Sequence, residues 1–253
     1  MAQAQMEFTL VETIAAESHF FTADPLGNIF WTNREGLTKY EPAGKTRKHY
    51  SNPSYGSIHF IDANDPLNVL IFHRDFHHIG WLDRNLAPKE TLQAPASLMD
   101  ELPSLVCNSG QGGFWVYLPR AARLQRLSQG FELQAQSLPL FEILPDFDQP
   151  SFLIEADGRL YLSQPDKGIA VFDAFGNFFF LIEKKGMERF QVQGNRLIYF
   201  SEKELIIFDF VLQQETLFLF PETEIRSGLI RGRRVFVQTN NEIRIYQAAG
   251  RLF

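Results

Sequence analysis

The stretch Ala156–Ile182, ADGRLYLSQPDKGIAVFDAFGNFFFLI, sets the pattern that the rest of the chain repeats. Asp157-Gly158 reads as a turn, Leu160–Leu162 as a short apolar strand and Gln164–Gly168 as a polar turn. A second strand follows at Ile169–Phe172, then a turn carrying Gly176-Asn177, then a third strand at Phe178–Ile182. Short β-rich runs between Gly-bearing turns are hairpin signals, because Gly and Asn accept the positive φ that a tight reversal needs. The stretch is a piece of antiparallel meander.

Outward from it, the pattern recurs with a period of about 40 residues, the mark of a repeat architecture. The first apolar residue after each opening turn is Ile29, Leu70, Phe114, Leu160, Leu197 and Val235. Each unit then carries an apolar pair three apart: Leu37/Tyr40, Ile79/Leu82, Leu124/Leu127, Ile169/Phe172, Leu205/Phe208 and Ile243/Tyr246. Three pairs run directly into Asp (Asp83, Asp173, Asp209), a residue suited to a turn leaving a strand. Strict in-out alternation is missing, as expected of strands packed on both faces. The expectation is one all-β domain over 1–253, a six-bladed β-propeller of four-stranded antiparallel blades. A β-sandwich or barrel of similar strand content is the alternative, and such folds lack this period.

The ends carry an argument about closure. Gly250–Phe253 matches Gly176–Phe179, so the last unit stops as its outermost strand begins. Glu7–Ile14, EFTLVETI, matches the outer strand Phe178–Ile182, and pairing it with the last blade would cover an exposed sheet edge. The N-terminal strand 7–14 is expected to complete the last blade.

ADPLGNIFWTNREGLTKYEPAGKTRKHY (23–50) and EADGRLYLSQPDKGIAVFDAFGN (155–177) resemble the blades of NHL-type and two-component-regulator-type β-propellers. Those repeats run D-x-x-G-N-hydrophobic-W/Y, then G-L/I-x-x-Y/F, then a Gly turn. Units 2, 3, 5 and 6 depart from the opening. The resemblance implies the propeller fold and leaves function open, since propellers host enzymes, scaffolds and ligand binders alike.

Composition narrows the classes. Hydrophobic residues make up 45% of the chain and charged residues 21%, enough for a substantial core. A net charge of −6 argues against a general nucleic-acid binder, which needs a basic surface. One cysteine, Cys107, excludes an internal disulfide framework and a Cys-based zinc cage. No run approaches the roughly 20 apolar residues of a membrane helix. Ala2-Gln3-Ala4 resembles the tail of a secretory cleavage site, which points to export to the periplasm or outer envelope. If Met1 is the native start, the expectation becomes cytoplasmic.

In a meander, the turns between second and third strands share a face with the connections between blades. That face carries the two long connections, 94–104 and 138–151, and long loops in compact domains are usually functional or disordered. A protein partner is expected there. Leu140, Phe141, Ile143 and Phe147 in LPLFEILPDFDQPS are the apolar anchors, with Arg74, His77, His78 and Arg120 beside them in polar turns. The alternative for the apolar loop is that it folds back over its own blade. His73 and His77 could ligate zinc with Asp75, but their spacing spans a β-turn, where side chains splay.

In lactonase-type six-bladed propellers the hub holds a divalent ion on acidic and amide side chains, and by resemblance Glu155 and Asn108 would belong to such a set. No G-x-S-x-G, Walker, H-E-x-x-H or CxxC motif is present. No cofactor is expected. The sequence reads as a non-catalytic propeller that binds protein partners in a larger assembly, with the bacterial cell envelope as its candidate setting. A metal-dependent hydrolase or lactonase working at the hub is the rival. A carbohydrate binder is disfavoured, because Trp31, Trp81 and Trp115 lie within strands.

Overall fold

A computed structural model describes residues 2–3, 6–89, 94–201, 203–222 and 224–250. The chain divides into two compact units. The first (Met1–Asn33, Leu37–Arg47 and Arg189–Phe253) holds blades 5 and 6 and most of blade 1. The second (Arg34–Gly36 and Lys48–Glu188) holds blades 2, 3 and 4.

Within the second unit, blade 3 orders Leu105–Asn108, Phe114–Leu118, Arg123–Leu127 and Leu133–Gln136. Blade 4 orders Phe152–Ala156, Arg159–Gln164, Gly168–Phe172 and Phe178–Ile182, the meander expected from the opening stretch. Blade 2 has Phe60–Asp62, Val69–His73 and His78–Leu82, with Pro88 bridged to Leu82 where a fourth strand would begin. Blade 1 runs Phe20–Ala23, Ile29–Asn33, Gly36–Glu41 and Thr46–Tyr50, of which Gly36 and Lys48–Tyr50 are counted with the second unit. Blade 5 runs Gln191–Gln193, Arg196–Phe200, Glu204–Asp209 and Gln214–Leu219, and Ala2–Gln3 adds in parallel to its outer strand. No helix among the described residues is long and apolar enough to cross a membrane.

All six first landmarks lie in second strands and all six apolar pairs in third strands, and every one of these side chains is buried. The missing alternation has a direct cause. In the strand Phe114–Leu118, Trp115 and Tyr117 enter the apolar cluster shared with blade 4, whereas Phe114, Val116 and Leu118 enter the cluster shared with blade 2. Successive side chains point to opposite faces, and both faces are covered, so every position must be apolar. An apolar pair three apart serves both seams: Leu124 joins the first cluster and Leu127 the second.

The turns use one device. In Asp24–Asn28 the Asp24 carboxylate accepts from the backbone N–H of Leu26 and Asn28, both at 2.9 Å, and from Asn28 Nδ2 at 2.7 Å. The same D-x-x-G-N geometry recurs at Asp173–Asn177, between third and fourth strands. Gly176 there takes a φ of +87° and lies so close to blade 3 that a Cβ would sit 2.8 Å from the Gln136 carbonyl carbon. Asp83 and Asp209 cap their turns in the same way. Blade 2 opens on DPLN, one residue shorter, and Asp65 still holds Leu67 N–H at 2.9 Å.

The expected clasp is present. Phe8–Ala15 pairs antiparallel with Glu242–Ala248, so blade 6 consists of the N-terminal strand plus Ser227–Arg231, Arg234–Gln238 and Glu242–Ala248. Ile14 is buried in the cluster with Trp31, Tyr40, Phe236 and Ile243, and the Tyr40 hydroxyl donates to Glu12. Residues 251–253, part of the closure argument, lie outside the described residues. Substituting Ile14→Ala should cost about 3 kcal/mol, the usual range for emptying a buried aliphatic site. Chemical denaturation checks it, and a loss below about 1 kcal/mol would mean that the strand does not hold the blade.

Candidate functional site

The two long connections are fastened to one turn. Pro119–Arg123, between the second and third strands of blade 3, closes with Ala122 N–H donating to Pro119 O at 3.3 Å. Arg120 donates from its guanidinium to the carbonyl of Asp100, at the end of the short helix Ala96–Asp100. On the other side, Leu140 N–H donates to Ala122 O at 2.7 Å. Leu98 anchors the first connection by burying its side chain in the cluster between blades 2 and 3. Leu140 and Phe147 anchor the second in the cluster between blades 3 and 4, with Ile143 and Leu144 packed against it.

Between these walls lies a groove of about 640 Å³. Its floor is the blade itself, with Leu118, Gln125 and Leu127 in strands and Phe131 and Leu133 in the following hairpin. Pro95, Leu98 and Glu101 form one wall, Pro139 and Phe141 the other, and Arg120, Ala121 and Arg123 the end. Phe141 is 60% exposed and Leu133 53% exposed, so the groove offers apolar surface to solvent at its rim. Glu101 Oε2 is buried with no hydrogen-bond partner among the described residues. The arrangement suits a ligand that combines an apolar body with charged or polar heads.

No family model matches the chain, and no curated protein sequence matches it either. Among solved structures it is similar to a gluconolactonase from Xanthomonas campestris, with 13% identity, a TM-score of 0.63 and coverage of 92% of this chain and 88% of that one. It is also similar to a catalytically inactive virginiamycin B lyase from Staphylococcus aureus solved with quinupristin, with 15% identity, a TM-score of 0.60 and coverage of 95% and 89%. A third likeness is to the extracellular domain of a putative one-component system from B. thetaiotaomicron, with 13% identity, a TM-score of 0.56 and coverage of 90% and 32%. The chain has the fold of a six-bladed β-propeller. At these identities the likeness extends to fold alone.

Of the anchors expected in 138–151, the propeller leaves only Phe141 in the open. Leu140 and Phe147 are core residues and Ile143 is half-buried against them, because the loop has to cover the end of its own blade. Leu140 and Phe147 therefore serve the core, and Ile143 is divided between the core and the surface. Arg120 reaches the groove. Arg74, His77 and His78 belong to the turn after the second strand of blade 2 and do not line it. The groove residues missed in the sequence are those on strands, Gln125 and Leu133 above all. Their signal was polarity or exposure on one face of blade 3, which needs the register to be read.

The first strands show how their polar residues are used. Asn108 takes the Asp62 carboxylate on its backbone N–H at 2.9 Å, donates its amide to the carbonyls of Asp62 and Asn68, and accepts from Trp81 Nε1 at 3.2 Å. Glu155 accepts from Gly110 N–H at 2.8 Å and from Trp115 Nε1 at 2.7 Å, one bond on each oxygen. Each side chain ties its blade to the preceding one. The structure therefore gives Asn108 and Glu155 separate tying roles, and no group of three metal-ligating side chains occurs among the described residues.

In the histidine turn, His73 ends a strand fully buried and donates from Nδ1 to Gly56 O at 3.0 Å. That bond fixes the neutral tautomer and leaves Nε2 with a lone pair sealed from solvent and unpartnered. His78, paired with it across the hairpin, stacks on Tyr55 with ring centroids 3.6 Å apart. His77 adopts a left-handed φ of 50° and its Nδ1 bonds Pro103 O at 3.0 Å. Burial, then the neighbouring His73, pushes the His78 pKa down to about 4. Burial likewise lowers His73 against the opposing pull of its carbonyl bonds and of Asp75.

Two outcomes are expected. Glu155→Ala should cost about 2 kcal/mol in denaturant titration, having removed two charge-assisted bonds from partly buried donors; an unchanged midpoint would deny the tie. For the histidines, the folded protein resists a proton that the unfolded chain accepts near pH 6.5, so stability declines as pH falls from about 6.5 towards about 4. His78→Gln should flatten that slope in melts recorded across the same window, and an identical slope would exclude His78 as its source.

Proposed function

We propose that the propeller is a non-catalytic binding module that holds a protein partner in the groove of blade 3. One observation carries this reading: both long connections converge on a single turn and leave an open, apolar-floored groove with Phe141 and Leu133 presented at its rim. Exposed aromatic and aliphatic anchors beside a formed depression are what a partner's own anchor residue packs into. Arg120 and Arg123 at the end favour a partner segment with an acidic head beside an apolar body. The first strands, where a catalytic reading would place its metal, spend Asn108 and Glu155 on ties between blades.

Deleting 138–151 would also remove Leu140 and Phe147 from the core, so it would confound binding with folding. Point substitution separates them. Phe141→Ser with Leu133→Ser changes exposed side chains and should leave the thermal midpoint within the range typical of surface changes, about 0.5 kcal/mol. Affinity capture from the source cells, run in parallel on both proteins, should retain a partner on the unsubstituted chain and lose it on the double variant. The same partners retained at the same yield on both would overturn the assignment.

A further inference from the structure

Arg126 sits in the third strand of blade 3, turned the same way as Leu124, because alternate residues of a strand share a face. Its cross-strand neighbours are Trp115 and Ala135, both in the apolar seam between blades 3 and 4. The residue is 9% exposed, and its Nε–H is sealed from solvent without a hydrogen-bond partner. Among the described residues no carboxylate forms an ion pair with it. Glu155, bonded to the adjacent Trp115, has committed one oxygen to that indole and the other to Gly110.

A guanidinium N–H sealed from solvent without an acceptor is costly, and folded chains normally supply a partner for such a group. This chain does so at the equivalent place in blade 1. Lys39 stands two residues after Leu37, as Arg126 stands two after Leu124. Lys39 is also buried, at 4% exposure, yet its ammonium meets Glu41 at 2.9 Å and lies 5.6 Å from the centre of the Phe30 ring. The position of Glu41 is occupied by Ser128 in blade 3. Blade 3 keeps the cation and lacks the acid.

We propose that Arg126 anchors an oxyanion-binding site in the seam between blades 3 and 4, and that the missing acceptor arrives with a ligand. The ligand carries a carboxylate or a phosphate, whose paired oxygens match the planar guanidinium fork. The site is independent of the groove, which takes Gln125 and Leu127 from the opposite face of the same sheet. No bond is made or broken in the protein; the ligand exchanges hydration for charge-assisted hydrogen bonds.

The full chain, labelled with ¹⁵N, is titrated with sodium phosphate in one arm and sodium acetate in the other, each against sodium chloride of equal ionic strength. The readouts are the thermal midpoint and the Arg126 Nε–H resonance, assigned by its disappearance in Arg126→Lys. A saturable change of both readouts in at least one arm, absent in chloride, is expected, and the responding arm tells phosphate from carboxylate. Arg126→Gln should abolish the response, and Arg126→Lys, which keeps charge but not the fork, should weaken it about tenfold. Silence of the Nε–H resonance in both arms would overturn the proposal, as would equal midpoint shifts in the unsubstituted chain and Arg126→Gln. Should Arg126→Gln fail to fold, the resonance of the unsubstituted chain decides alone.

Discussion

The structure depends on strands whose two faces are both buried. A strand such as Phe114–Leu118 contributes alternate side chains to two different seams, so no position along it can be surrendered to water. Apolar packing in the seams carries the stability, and a polar side chain enters only with its bonds made. Gln191 follows that rule by exchanging two bonds with the backbone of Ile230, and Arg231 by donating twice to Ala23 O. Four buried side-chain atoms break it among the described residues: Thr32 Oγ1, His73 Nε2, Glu101 Oε2 and Arg126 Nε. Three of the four belong to blades 2 and 3 and the connection between them. Unpaid polar atoms gathered in one part of a repetitive molecule mark the part that has departed from its sister blades, and departure from the repeat is where a specific role can reside.

The repeat was legible because two-sided burial writes it twice, once in the residue that starts each second strand and again in the apolar pair of each third strand. The D-x-x-G-N turn was legible for a local reason: its Asp carboxylate needs donors two and four residues ahead, which fixes a spacing in the sequence. The groove was legible only as a location. In Leu138–Ser151 the chain has neither period two nor period 3.6, so nothing in it separates Leu140 and Phe147, which anchor, from Phe141, which is presented. That division is set by the ends of blades 3 and 4, residues far away in the chain. Arg126 did leave a trace, as a cation in a column that reads Trp81, Val171, Ile207 and Ile245 in four other units. Lys39 in the remaining unit hides the anomaly until its partner Glu41 is also aligned.

The proposal that the groove rather than the first strands carries recognition rests on how each set of polar groups is employed. Asp62, Asn108, Glu155 and Gln191 all spend their side chains on an adjacent blade, and freeing any of them would loosen a seam. The connections around blade 3 face the opposite situation. Their anchors, Leu98, Leu140 and Phe147, are sunk in core clusters with Ile143 and Leu144 packed against them, while Phe141 stays exposed. Both are bonded to Pro119–Arg123, one through Arg120 and the other through Ala122. The width of the groove is thereby set by a few backbone positions in one tight turn. On the proposed binding role, the ordering costs that a pair of free loops would impose on association are met during folding, which would leave affinity to the anchors at the rim and selectivity to the charges at its end.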